Sequence, residues 1–253
     1  MVYNSLTEAP RNLKEGIDWL VAVKGTDAES NIAALGEAVH KFLADKPVGS
    51  MQVPALEKIK LITKEFIGQK NLKGSWFVKN ITKRVGSGLG KTYDTLVKDL
   101  GYVRDSDYQN VVDAEGVNAD TIVENLNKVM DGTEKFLDDI KNPNQYTSAY
   151  SSKATWEASC AKDPEACAVV LVGIAPMLYT GLRHLRTASS EQAGLLQIFY
   201  GKKSLMNLLN AAGYNESECR SGISAGNVVN ALRGVNDSVL YILYDLAGFW
   251  AFY

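Results

Sequence analysis

The chain has little of what most site chemistry is built from: two histidines and three cysteines in 253 residues. Neither His40 nor His184 has a cysteine, a second histidine or a carboxylate at metal-ligand spacing, so no metal site is predicted. No serine stands in a nucleophile elbow, and no carboxylate pair sits in a recognisable acid–base motif. The sequence therefore predicts no catalytic residue and no cofactor, and the chain reads as a non-enzyme. A basic excess is also missing. The net charge is −2 and the pI near 5.8, which argues against a general nucleic-acid binder. Long apolar runs are absent too, since the longest uncharged stretch, Ala166–Leu182, has 17 residues and a bilayer span takes about 20. The first twenty residues carry Glu8, Arg11, Lys14, Glu15 and Asp18, too many charges for the apolar core of a secretory signal. Taken alone, that points to the cytoplasm.

What is present is helical periodicity, with few alternating strand patterns. Thr7 is expected to cap a first helix with Pro10 in its first turn and Leu13, Ile17, Leu20 and Val21 on one face. Ile32, Leu35, Val39, Phe42 and Leu43 form a second stripe, and Pro54 opens a third helix bearing Leu56, Ile59, Ile62 and Phe66. A fourth segment runs through Trp76, Phe77, Ile81 and Val85. Ile122, Leu126, Val129, Thr133, Phe136 and Ile140 make a heptad seam suited to packing inside a bundle. The 166–182 run predicts a central core helix bent at Pro176. Further segments pass through Leu195–Phe199, Leu205–Leu209 and Val228–Leu232, before a last helix from Asp237 carries Leu240, Leu243, Leu246 and Phe249. So apolar a terminus is expected to dock against the bundle. The expected fold is all-α: an irregular bundle of about eight to ten helices with a kinked central apolar helix. It forms a single domain, 1–253, with halves 1–141 and 153–253 meeting at the Asn- and Ser-rich loop 142–152.

Gly86–Thr92 imitates a phosphate-binding loop, but the first required glycine position is Val85 and the preceding residues read as helix, so a glycine connector is expected. Asn80, Asn215 and Asn236 open glycan-acceptor triplets and are read as solvent-exposed. The histidines are read as solvated or locally bonded. Charge is uneven: Lys58–Lys98 holds ten basic residues against two acids, and Asp105–Asp139 ten acids against two lysines. Two readings stand, solvated faces that cancel, or a contact surface of Lys79, Lys83, Arg84, Lys91 and Lys98 facing an acidic partner. Cys160 and Cys167 flank a segment in which Asp163 can cap and Pro164 can start a helix. A disulfide there would staple two helix ends and leave Cys219 as the odd thiol; three reduced core cysteines are the competing account.

Leu6–Leu20, Thr147–Tyr150, Ala154–Cys160, Cys167–Pro176, Ala211–Asn215 and Ser221–Leu232 resemble the variant erythrocyte surface antigens of Babesia, so the resemblance spreads from residue 6 to about 234. Members of that family carry more cysteine and end in a transmembrane helix. A truncated ectodomain or a short relative accounts for both departures. The resemblance implies export without an amino-terminal signal to the infected erythrocyte surface, antigenic variation, and adhesion to host endothelium. Its implied partners are a host cell-surface receptor, antibodies and a second antigen subunit, with membrane contact only through a segment absent from this chain. The loops 70–74, 86–90 and 142–152 are the expected variable or contact surface. A non-catalytic helical interaction module is the alternative.

Overall fold

The computed structural model describes residues 2–72, 76–87, 104–193 and 201–253, with no strand among them. The helices are α1 (Leu13–Lys24), α2 (Ala28–Leu43), α3 (Pro54–Ile67), α4 (Trp76–Ser87), α5 (Val111–Ala114) and α6 (Ala119–Ile140). They continue with α7 (Trp156–Ser159), α8 (Pro164–Ala193), α9 (Gly201–Ala211), α10 (Ala225–Ala231), α11 (Asp237–Leu246) and α12 (Phe249–Phe252). The all-α expectation holds, with single-turn helices of four residues joining the longer ones.

The chain stacks in layers. α1, α2, α10 and α11 form a middle layer that packs on α8 on one side and on α6 on the other, while α3 and α4 pack on α8. This order explains the two longest helices. Among the described residues α6 meets protein along one side, and its six seam residues, Ile122 to Ile140, are all buried. α8 meets helices of several layers, so every residue from Cys167 to Leu182 is buried. A helix apolar on all sides requires such a position. By length and composition α8 could cross a membrane, and 89% of its most apolar window is buried within the protein. Pro176 lies inside it.

Close helix approach depends on small residues. A Cβ on Gly132 of α6 would lie 2.8 Å from the carbonyl oxygen of Gly234, which is backbone and cannot swing away.

Two local expectations need correction, and a third narrows. The first helix begins at Leu13, capped by Asn12, whose side chain accepts from the Glu15 amide at 2.9 Å; Thr7 is exposed and outside the helix. Leu6 takes a tertiary position instead: it is fully buried, and its carbonyl accepts from the Trp19 indole. The last helix ends at Leu246, because Gly248 turns with φ +62°, a left-handed conformation that glycine takes at little cost. The turn folds Phe249–Tyr253 back into the core, where Phe42 stacks on Phe252. Of the two readings of His184, solvated or locally bonded, its burial leaves the second, and burial lowers its pKa.

Loop 142–152 is pinned, not free. The Tyr3 amide donates to the Ala149 carbonyl and the Ser151 amide to the Tyr3 carbonyl, and Tyr150 stacks on Tyr3. The hydrophobic core is continuous through residues on both sides of this loop.

Candidate functional site

The densest polar chemistry lies inside the protein. Lys14 and Asp18 stand one turn apart on α1, and both point into the core. The Lys14 ammonium contacts a carboxylate oxygen of Asp18 and one of Glu218, each at 3.2 Å, donates to the Thr147 carbonyl at 2.7 Å, and lies over the Tyr146 ring. Asp18 in turn accepts from the Tyr146 hydroxyl and from the Ala149 amide. Glu218 accepts from the backbone and side-chain amides of Asn215, which closes the turn Glu216–Glu218. The result is a clasp of three chain segments: α1, loop 142–152 and the turn after α9.

Electrostatics decide what this clasp can do. One ammonium faces two carboxylates, and neutral donors hold the remaining oxygens. Burial raises the Asp18 pKa against the opposing pull of Lys14 and of its hydrogen bonds. Burial also raises Tyr146 and Tyr214, the latter fully buried beside the clasp. A tyrosine held protonated donates but does not act as a base. Lys14, Asp18 and Glu218 are all buried, and their contacts tie the three chain segments together. Among the described residues no cluster of histidine, cysteine and carboxylate groups could hold a metal.

Sequence reasoning missed Lys14, Asp18, Glu218, Tyr146 and Tyr214. One signal was available: Lys14 and Asp18 alternate with Leu13 and Ile17 on the face that has to be buried. Glu218 and Tyr146 gave no comparable signal, because their partners Lys14 and Asp18 lie far away in sequence, 128 residues for Tyr146 and more for Glu218.

Cys160 and Cys167 are joined by a disulfide that ties α7 to the first turn of α8, where the Asp163 side chain caps the Ala166 amide and Pro164 opens the helix. Cys219 is a buried free thiol, and burial pushes it up to about 11, far from reactive at neutral pH. It lines an open depression of about 310 Å³ with Asn142, Gln145, Met206, Arg220 and Ile223.

Of the expected contact lysines, Lys79 is exposed on α4. Lys83 and Arg84 follow on the same helix, with side chains outside the described residues, and Lys91 and Lys98 lie outside them altogether. The Gly86–Thr92 connector is outside them from position 88 on, as are positions 73 and 74 of loop 70–74 and the 195–199 segment. Of the glycan-acceptor asparagines, Asn215 and Asn236 are exposed and Asn80 is half-buried. Asn236 caps α11.

Comparison of the chain with family models, with curated proteins and with solved structures returns no match.

Proposed function

We propose that this chain is a display and adhesion scaffold, related to the variant erythrocyte surface antigens of Babesia that it resembles. In this reading it is carried on the surface of the infected red cell, varies its exterior under antibody selection, and attaches the cell to a host endothelial receptor. One observation supports it above the rest. Four of the six stretches that carry the resemblance meet around the buried clasp and its surroundings. Leu6–Leu20 supplies Lys14 and Asp18, and Thr147–Tyr150 supplies the Thr147 carbonyl and the Ala149 amide. Ala154–Cys160 supplies the Ser159 hydroxyl that accepts from the Leu6 amide, and Ala211–Asn215 the Ala212 carbonyl that accepts from the Lys14 amide. The shared wording thus falls on residues that fix the framework. Exposed positions elsewhere tolerate exchange within about ±0.5 kcal/mol, which is the freedom a varying antigen needs. The disulfide suits an oxidising exterior.

Antibody labelling of intact, unpermeabilised infected cells tests the reading, with binding of the purified protein to cultured endothelial cells as its second arm. Surface signal and binding are expected. Signal seen only after permeabilisation sinks the proposal.

A further inference from the structure

The layered order separates two charged surfaces. On the α3–α4 side, Lys58, Lys64, Lys70 and Lys79 are exposed, their ammonium groups without an ion pair among the described residues, and Glu65 is the exposed acid beside them. Beside them Leu61 is 65% exposed, the most exposed large apolar side chain among the described residues. Lys60 differs: it is held by Glu57 and by the Phe252 carbonyl. On the α5–α6 side, Asp113, Glu115, Asp120 and Glu124 are exposed, their carboxylates likewise without an ion pair among the described residues, with Lys128 one turn further on. Of the later acids of α6, Asp131 and Glu134 pair with Lys24 and Asp138 with Lys141, while Asp139 is exposed. α3 and α4 pack on α8, whereas α6 packs on the other side of the middle layer, so the α3–α4 surface and the acidic start of α6 lie apart within one molecule.

We propose that the α3–α4 surface receives the α5–α6 end of a second copy of this chain, with the four lysines facing the four carboxylates and Leu61 in the contact. The partner's chemistry is the argument: the same polypeptide displays the complementary charge, unpaired, on a different face. Because the two surfaces differ, the contact is heterologous and repeats from copy to copy. Its strength depends on salt, since exposed charges are screened beyond about 8–10 Å at physiological ionic strength. The proposal is independent of the display reading.

Sedimentation velocity of the whole protein tests it, at low salt (about 20 mM) and at high salt, where the screening length is about 3 Å. At low salt the average mass should rise with concentration, and at high salt it should return to the monomer. Two surface variants are compared, Lys58→Glu/Lys64→Glu/Lys79→Glu and Asp113→Lys/Glu115→Lys/Glu124→Lys, with dichroism confirming that each is folded. Each alone should associate at least about tenfold more weakly than the wild type, from loss of steering and from like-charge repulsion. An equimolar mixture should recover association, because each variant now carries the charge the other lacks. A wild-type protein that stays monomeric at low salt overturns the proposal. So does association that survives either reversal, or a mixture that does not recover. Binding of the wild type to heparin that is lost in the lysine variant, without self-association, would assign the basic surface to a sulphated polymer instead.

Discussion

The α8 layer and the α1 clasp are equally buried and held by opposite chemistry. From Cys167 to Leu182, α8 fills its surroundings with apolar side chains, each gaining roughly 1.5–3 kcal/mol by leaving water. The clasp instead buries Lys14, Asp18 and Glu218, whose desolvation is costly and is offset only while all three remain together. The apolar layer therefore degrades by increments as atoms are removed. The clasp fails when a single partner is lost, and that contrast makes it the better guardian of one particular chain arrangement.

The sharpest way to break the comparison is Lys14→Met, which leaves two carboxylates buried without a cation and should cost about 3–5 kcal/mol in denaturant unfolding. The sign with pH follows. Carboxylates stripped of their cation have folded pKa values above the unfolded ones, so protonation relieves them, and the defect should deepen as pH rises from about 5 to 8. A defect flat across that range would mean that the charges are not what the clasp balances. Leu171→Ala, in the fully buried turn of α8, should cost about 2–4 kcal/mol with no such pH dependence, as a transfer-plus-cavity loss does. Next comes Gly132→Ala, whose methyl would press on the Gly234 backbone, at about 1–3 kcal/mol. Tyr150→Phe, which loses the bond to the Glu8 carbonyl, should cost about 1 kcal/mol.

The smallest effect is a slope. Burial holds the folded pKa of His184 below its unfolded value, so its contribution is fully present above the unfolded pKa of about 6.5 and is lost as pH falls through it. His184→Gln should flatten the stability profile between about pH 7 and 5. A thiol count on the denatured, unreduced protein should find one free group, Cys219; three would exclude the disulfide.

The apolar layer was far more legible than the clasp. The α6 seam, the α2 stripe and the Pro54 start of α3 could be read because burial of one helix face imposes a spacing of three and four residues on a short window. Even the disulfide had a local signature in the Asp163–Pro164 helix start. The Thr7 cap was misread because Leu6, the residue before it, has a tertiary burial site that draws the chain away from the helix until Asn12. The C-terminal helix was read one element too long, because its apolar period continues across Gly248 while the backbone does not.

The sequence by itself determined that this protein is helical, which stripes enter the core, and that one helix must be surrounded on all sides, because apolar spacing acts through neighbours four residues away. Only the tertiary structure decided the order of the layers, the meeting of Lys14 with Asp18 and Glu218, and the separation of the unpaired lysines from the unpaired carboxylates. Those outcomes depend on which distant segments share a surface, and charges leave no periodic trace of the partner they will find.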